Sequence, residues 1–136
     1  MDEIVERLYL GSYAATKDAA FLKTNGVLYI LNMCTKPNVH EKDKALTFKS
    51  MNLEDLEDVD IAKSFAEAFA FIDEGLNSNN GQGKVLVHCE CGISRSATII
   101  IAYLMSKKEM SFRAAWKYTF TKRNKICPNV GFMKAL

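Results

Sequence analysis

The sequence predicts an α/β fold: a central, mostly parallel or mixed sheet of four to five strands flanked by helices. Three observations predict it. The run VLYILNMC (27–34) is apolar with no polar alternation, as expected of a strand covered on both faces. Strand-like runs alternate along the chain with stretches of helical period, and such alternation favours a sheet with helices packed on it. KVLVH (84–88) passes through a short loop into a long aliphatic stretch, the strand–loop–helix order of such folds.

Taken in order, RLYLGS (7–12) reads as a short strand closing on Gly11, and Lys17 to Thr24 as a helix stopped by the Asn25-Gly26 turn signal. VLYILNMC follows as a buried strand. A polar loop, Thr35 to Lys44, leads into ALTFKSMNL (45–53), read as another strand. In EDLEDVD (54–60) five of seven side chains are carboxylates, a density that suits an exposed loop. From Asp60 the period changes. Ile61, Phe65, Phe69, Ile72 and Leu76 mark one face of a helix, with Asp60 as its cap, and NSNNGQG (77–83) ends it. After KVLVH, the run from about Ser96 to Lys107 is apolar on nearly every side; its isoleucines also suit a strand, but its length favours a buried helix. A second amphipathic helix starts near Ser111, with Phe112, Ala115, Trp116 and Phe120 on its apolar face, and Pro128 permits a last short helix.

At 136 residues and 49% hydrophobic content the chain suffices for one sizeable core and falls short of two ordinary domains, so residues 1–136 are expected to form one domain. Its 18 basic and 16 acidic residues are spread along the chain, and no basic block marks a nucleic-acid tract. MDEIVERLYLG is too acidic for a secretory signal, and Ala97 to Met105 falls far below the roughly 18 apolar residues a membrane span needs. A soluble, cytoplasmic location is expected, with the nucleus as the alternative. Cys34, Cys89, Cys91 and Cys127 are expected as reduced thiols, because a core of this size does not depend on disulfides. Cys89 and Cys91 form C-x-C without a matching pair, and the histidines are His40 and His88 alone, so no metal site is expected.

The chemistry is concentrated at VLVHCECGISRS (85–96). The carboxyl end of a strand in an α/β sheet, followed at once by a helix amino terminus, attracts anions through unpaired N–H groups and the helix dipole. Gly92 allows the loop to turn successive amides inward as a nest. The same field stabilises a thiolate, which makes Cys89 a candidate nucleophile. Arg95 can fold back over the loop and bind two oxygens of a phosphate with its planar fork. Together these groups suit a tetrahedral oxyanion under nucleophilic attack. G-x-x-x-x-G-K-[ST] is absent, and no carboxylates are arranged for two metal ions, so phosphoryl transfer here is expected to need no metal or cofactor.

His88-Cys89-x-x-Gly92-x-x-Arg95-Ser96 resembles the signature of cysteine-dependent protein phosphatases, specifically the dual-specificity branch. LYLGS (8–12), GVLYILNM (26–33), FAFIDEGL (69–76), AYLM (102–105) and RNKICPNVGF (123–132) resemble that family's recurring segments, in family order. The resemblance implies a phosphatase-type fold and a phosphate-binding loop of Cys89, Glu90, Cys91, Gly92, Ile93, Ser94 and Arg95. It implies that Cys89 attacks phosphorus, Arg95 binds the equatorial oxygens through the transition state, Ser96 assists the departing sulfur, and His88 supports the loop and the thiolate without donating a proton. The general acid comes from an upstream loop at a position matching Asp55, with Asp58 as the alternative. In some superfamily relatives a strand-end cysteine pairs reversibly with the nucleophile; Cys34 is the candidate here, Cys91 its competitor, and a buried unreactive thiol the plainer reading. Asn129 is expected to brace the loop.

The loop lacks the lysines of phosphoinositide phosphatases and the T-N-R of RNA triphosphatase relatives, so inositol lipids and RNA are disfavoured. The short chain implies a shallow cleft that admits phosphoserine, phosphothreonine and phosphotyrosine in protein substrates, and the acids at 54–60 are expected to favour basic flanking residues. No kinase-docking amino-terminal domain is evident, the pattern of an atypical, single-domain member. A catalytically silent phosphopeptide-binding module of the same fold is the alternative. The sequence specifies no oligomeric state.

Overall fold

In the computed structural model, which describes residues 1–136, the chain runs β1 (Asp2–Val5), β2 (Leu8–Gly11), a 3-10 turn at Tyr13–Thr16, α1 (Ala19–Thr24), β3 (Val27–Asn32) and β4 (Thr47–Ser50). A second 3-10 turn, Ile61–Ser64, leads into α2 (Phe65–Gly81), followed by β5 (Lys84–His88), α3 (Arg95–Lys107), α4 (Phe112–Lys122) and α5 (Val130–Ala135). The five strands form one mixed sheet in the order β1-β2-β5-β3-β4. β1 is antiparallel to β2, and the remaining neighbours are parallel. The expected α/β architecture is therefore the one observed, with β5 at the centre.

Strand period sorts the core into two layers. Val85 and Val87 of β5 and Leu31 of β3 join the large apolar cluster that contains Ile72 of α2 and Ile99, Ile100 and Ile101 of α3. Leu86 and Ile30, one residue out of phase, face a smaller cluster with Leu22 of α1 and Leu46. This is why VLYILN and KVLVH carry no polar alternation: both faces of each strand are covered. Ten consecutive residues of α3, Arg95 to Leu104, are buried. Its isoleucines gain roughly 1.5–3 kcal/mol each from burial, which outweighs the modest helix penalty of β-branched side chains.

The structure corrects several boundaries. β1 has no counterpart among the expected strands; its pairing with β2 is interrupted by an irregularity between Glu3 and Val5. α1 begins at Ala19, after Lys17, because the Asp18 side chain accepts a hydrogen bond from the Phe21 N–H. Strand β4 spans Thr47–Ser50 alone, and Asn52 beyond it turns to φ +54. Asp60 precedes the 3-10 turn, makes no side-chain cap bond, and so does not cap α2. The stop at 77–83 is real: Ser78, Asn79 and Asn80 leave helical geometry, the two asparagines at φ +51 and +56. Helix α4 does not bury its aromatic face. Phe112 and Phe120 are exposed, and with Trp116 they line an open groove of about 830 Å³ against Ile126, Cys127, Pro128 and Met133, apart from the loop after β5.

Helix α2 lies against the sheet at Gly75. A Cβ there would come within 2.5 Å of the Val85 Cγ2 and 2.9 Å of the Tyr29 Cβ and Cγ. Gly75→Ala should therefore lower the urea midpoint with little change in slope, costing about 1–3 kcal/mol as an overpacked contact. A midpoint equal to that of the wild type would show that α2 can lift from the sheet without penalty.

Candidate active site

The loop after β5 emerges between two parallel neighbours, with His88 paired in register to Gly11 of β2 and Asn32 of β3. Its outer carbonyls are tied down. Tyr13 N–H donates to the Glu90 carbonyl at 3.0 Å, and Cys127 N–H to that of Ile93 at 2.8 Å. Arg123 donates through Nε to the Gly92 carbonyl at 3.0 Å and through Nη2 to that of Cys91 at 3.2 Å, while its Nη1 pairs with Asp2 at 2.8 Å. Gly92 sits at φ +69, and a Cβ on it would meet the Gly11 carbonyl oxygen at 2.6 Å and Arg123 Nη2 at 2.7 Å. Only glycine fits that turn without strain. With four consecutive carbonyls held by the body of the fold, the amides are left to the inner side of the loop.

Cys89 lies on that inner side, 2% exposed. Its Sγ accepts from the Gly92 N–H at 3.2 Å and is 3.1 Å from the Ser96 Oγ. Burial pushes the thiol up, but the Ser96 hydroxyl and the N–H groups of Ser96, Ile93 and Gly92 together hold it below its ordinary pKa. His88 is also buried. Burial holds its imidazole at about 4, against a smaller opposing effect of the Cys89 carbonyl. The neutral ring therefore donates Nδ1–H to that carbonyl, at 3.2 Å. Its bond goes to backbone, and it brings no positive charge to the sulfur.

Arg95 is 7% exposed. Its Nη1 donates to the Leu53 carbonyl at 2.9 Å, its Nη2 stands 3.8 Å from Glu90 Oε2, and its buried Nε has no partner. An orphaned buried donor costs about 1–3 kcal/mol. A tetrahedral oxyanion above the loop would satisfy it, taking Nε and Nη2 with two oxygens.

Of the two candidate acids, the structure ties Asp55 to this loop. Asp55 Oδ1 accepts from Ser94 Oγ at 2.7 Å and from Asn129 Nδ2 at 2.9 Å. Ser94 Oγ in turn accepts from the Asn129 N–H at 3.0 Å, and the Asn129 Oδ1 caps α5 at Phe132 N–H. Asp58 makes no such bond. Cys34 is buried two residues beyond the end of β3, its Sγ donating to Asn32 Oδ1 at 2.9 Å. Burial pushes that thiol up; the backbone at Lys36 and the Arg95 charge oppose this, and the Cys89 charge adds to it. Cys91 is exposed, and all four cysteines are free.

Two groups escaped the sequence reading. Arg123 lies within RNKICPNVGF, a segment that carries no assigned role for its arginine, and Ser94 is placed in the loop with no role for its hydroxyl, which joins Asp55 to Asn129.

A sequence model described as the dual specificity phosphatase catalytic domain matches residues 8–136. The chain belongs to the dual specificity phosphatase family. Among relatives, the MAP kinase phosphatase with leucine-rich repeats protein 2 of Dictyostelium discoideum is 38% identical over 99% of this chain, which spans 19% of that protein's length. The dual specificity protein phosphatase 1B of Arabidopsis thaliana is 34% identical over 100% of this chain and 79% of its own length. Among solved structures, the human tyrosine phosphatase-like serine/threonine/tyrosine-interacting protein superposes with a TM-score of 0.89 at 32% identity, covering 99% of this chain and 91% of the other. The expected family and phosphatase-type fold are thus both found. No helix is long and apolar enough to cross a membrane.

Removing the Ser96 hydroxyl takes away the largest influence that lowers the Cys89 pKa. Ser96→Ala should shift the midpoint of Cys89 alkylation against pH upward, since more of the sulfur is then protonated at a given pH. The rate of iodoacetamide labelling of Cys89, followed by mass spectrometry across pH, measures it; an unmoved midpoint would assign the low value to the amides alone.

Proposed function

We propose that this dual specificity phosphatase domain hydrolyses phosphoserine, phosphothreonine and phosphotyrosine in proteins through a cysteinyl-phosphate intermediate. The observation that carries the reading is the unpartnered, buried Arg95 Nε beside a thiol held below its ordinary pKa: donors for an oxyanion set around a nucleophile. Cys89 sulfur attacks phosphorus as the bond to the substrate oxygen breaks. Arg95 and the loop amides hold the equatorial oxygens, whose charge they meet without rearrangement. Asp55 gives its proton to the departing oxygen. In the second half, Asp55 takes a proton from a water that attacks phosphorus, the S–P bond breaks, and the Ser96 hydroxyl stabilises the thiolate that leaves. Positive charge from Arg95 and dipoles from the nest suffice for these steps, so the reaction needs no metal.

The test is hydrolysis in EDTA of an aryl phosphate and of a phosphoserine peptide, with the wild type, Cys89→Ser, Asp55→Asn and Asp58→Asn. Cys89→Ser should abolish turnover. Asp55→Asn should lower kcat on the phosphoserine peptide by about 10²–10⁴, and the alkaline fall of the rate, where the acid loses its proton, should vanish with it. Asp58→Asn should keep both. If reduced, folded wild type turns over neither substrate while Cys89→Ser binds a phosphopeptide, the domain is a phosphopeptide-binding module.

Cys34 supports a second reading, as a redox partner of Cys89. The register that pairs His88 with Asn32 brings Met33 opposite Cys89, with Cys34 the next residue along the chain, and both thiols lie in the same apolar cluster. Limited peroxide should yield a Cys34–Cys89 disulfide peptide by mass spectrometry, with activity restored by dithiothreitol. Irreversible loss with no such peptide would remove Cys34 from this role, and a Cys91–Cys89 peptide would transfer it.

A further inference from the structure

The loop carries its own carboxylate where the substrate's charge must sit. Glu90, directly after Cys89, is half-exposed, and its two oxygens lie between two cations: Oε2 is 3.8 Å from Arg95 Nη2 and Oε1 is 3.7 Å from Lys36 Nζ. Its backbone is fixed by Tyr13 N–H, and Lys36 is fixed in turn, its Nζ standing 5.3 Å from the centre of the Tyr13 ring and its carbonyl accepting from Asn32 Nδ2 at 2.8 Å. Nη1 of Arg95 is taken by Leu53. The face left for a tetrahedral dianion is Nε and Nη2, and Glu90 stands at the Nη2 half of it. Two anions cannot share that edge without repulsion beside a guanidinium this buried.

We propose that Glu90 is an internal competitor for the oxyanion, and that anion binding requires its carboxylate to leave Arg95 for Lys36. Glu90 then sets how tightly phosphate is held, as substrate and as product, and Lys36 relieves the competition by receiving the displaced carboxylate. This rests on the reading of the loop as a phosphate site, but not on turnover.

The experiment measures the dissociation constant of inorganic phosphate twice: by competition with an aryl phosphate in the active chain, and by calorimetry on Cys89→Ser, where no chemistry is needed. Each is run with Glu90→Gln, Lys36→Met and the double variant. Glu90→Gln should tighten phosphate by roughly tenfold at low salt, with the gain shrinking as salt rises. Lys36→Met should weaken phosphate by roughly threefold when Glu90 is present and hardly at all in the Glu90→Gln background. An affinity unchanged within about twofold in Glu90→Gln overturns the proposal. So does a Lys36→Met loss of equal size in both backgrounds, which would make Lys36 a direct phosphate ligand, and so does absence of phosphate binding throughout. Binding with these differences but no turnover in the active chain would overturn the enzymatic reading and leave Glu90 as the competitor.

Discussion

The site depends on a constraint outside it: the carbonyls of the 89–94 loop are held from behind. Arg123 does half of this, reaching the carbonyls of Cys91 and Gly92 while Asp2 balances its charge from the first strand. Without those bonds the loop's peptide planes are free to rotate, and a nest whose amides do not converge stabilises neither a thiolate nor an oxyanion. A buried arginine is expensive to desolvate, and it is tolerated where every one of its directions finds an acceptor. Here two loop carbonyls and one carboxylate supply them. The guanidinium thus converts the packing of α4 and β1 into loop shape, linking two ends of the chain through the chemistry at its centre.

Two arginines divide the electrostatic work. Arg123 is satisfied by the protein itself. Arg95, fixed at one end by Leu53, keeps its Nε unsatisfied, and in the proposed reaction an oxyanion would take it up. The α3 isoleucines that share an apolar cluster with Cys89 and the buried, neutral His88 keep the surroundings low in dielectric, which strengthens the amide-to-sulfur bonds. Burial alone would have made Cys89 a poor nucleophile. Its converging donors reverse the sign: the Gly92 and Ile93 amides from the loop, and the amide and hydroxyl of Ser96 from the first turn of α3.

What was legible in the sequence follows the same division. The buried strands and α3 announced themselves by continuous apolar runs, and Cys89, Gly92, Arg95 and Ser96 by a spacing that a strand–loop–helix junction makes meaningful. β1 was not legible, because a four-residue antiparallel strand at an edge has too few residues to show a period and draws its stability from β2. Asp60 looked like a helix cap because it precedes an apolar face, but a 3-10 turn intervenes and its side chain bonds no amide. The aromatic residues of α4 have helical spacing yet line an open groove, for periodicity reports which residues share a face and not whether anything covers it. Arg123 was hidden for a different reason: its partners are backbone carbonyls and Asp2, far away in sequence, and no local pattern encodes them.

The two carboxylates nearest the loop illustrate how partner chemistry separates roles that composition alone leaves equal. A carboxyl group that must carry a proton gains nothing from a cationic neighbour, which favours its ionised form. Asp55 has none: both of its hydrogen bonds come from neutral donors, Ser94 and Asn129, and both fall on Oδ1. Glu90 has the opposite surroundings, with Arg95 on one side and Lys36 on the other. Five acids crowd residues 54–60, yet the reach of Ser94 and Asn129 singles out one of them. The proposed assignment of Asp55 as the acid therefore rests on what the α5 cap and the 89–95 loop offer it, and the density of negative charge around it is secondary.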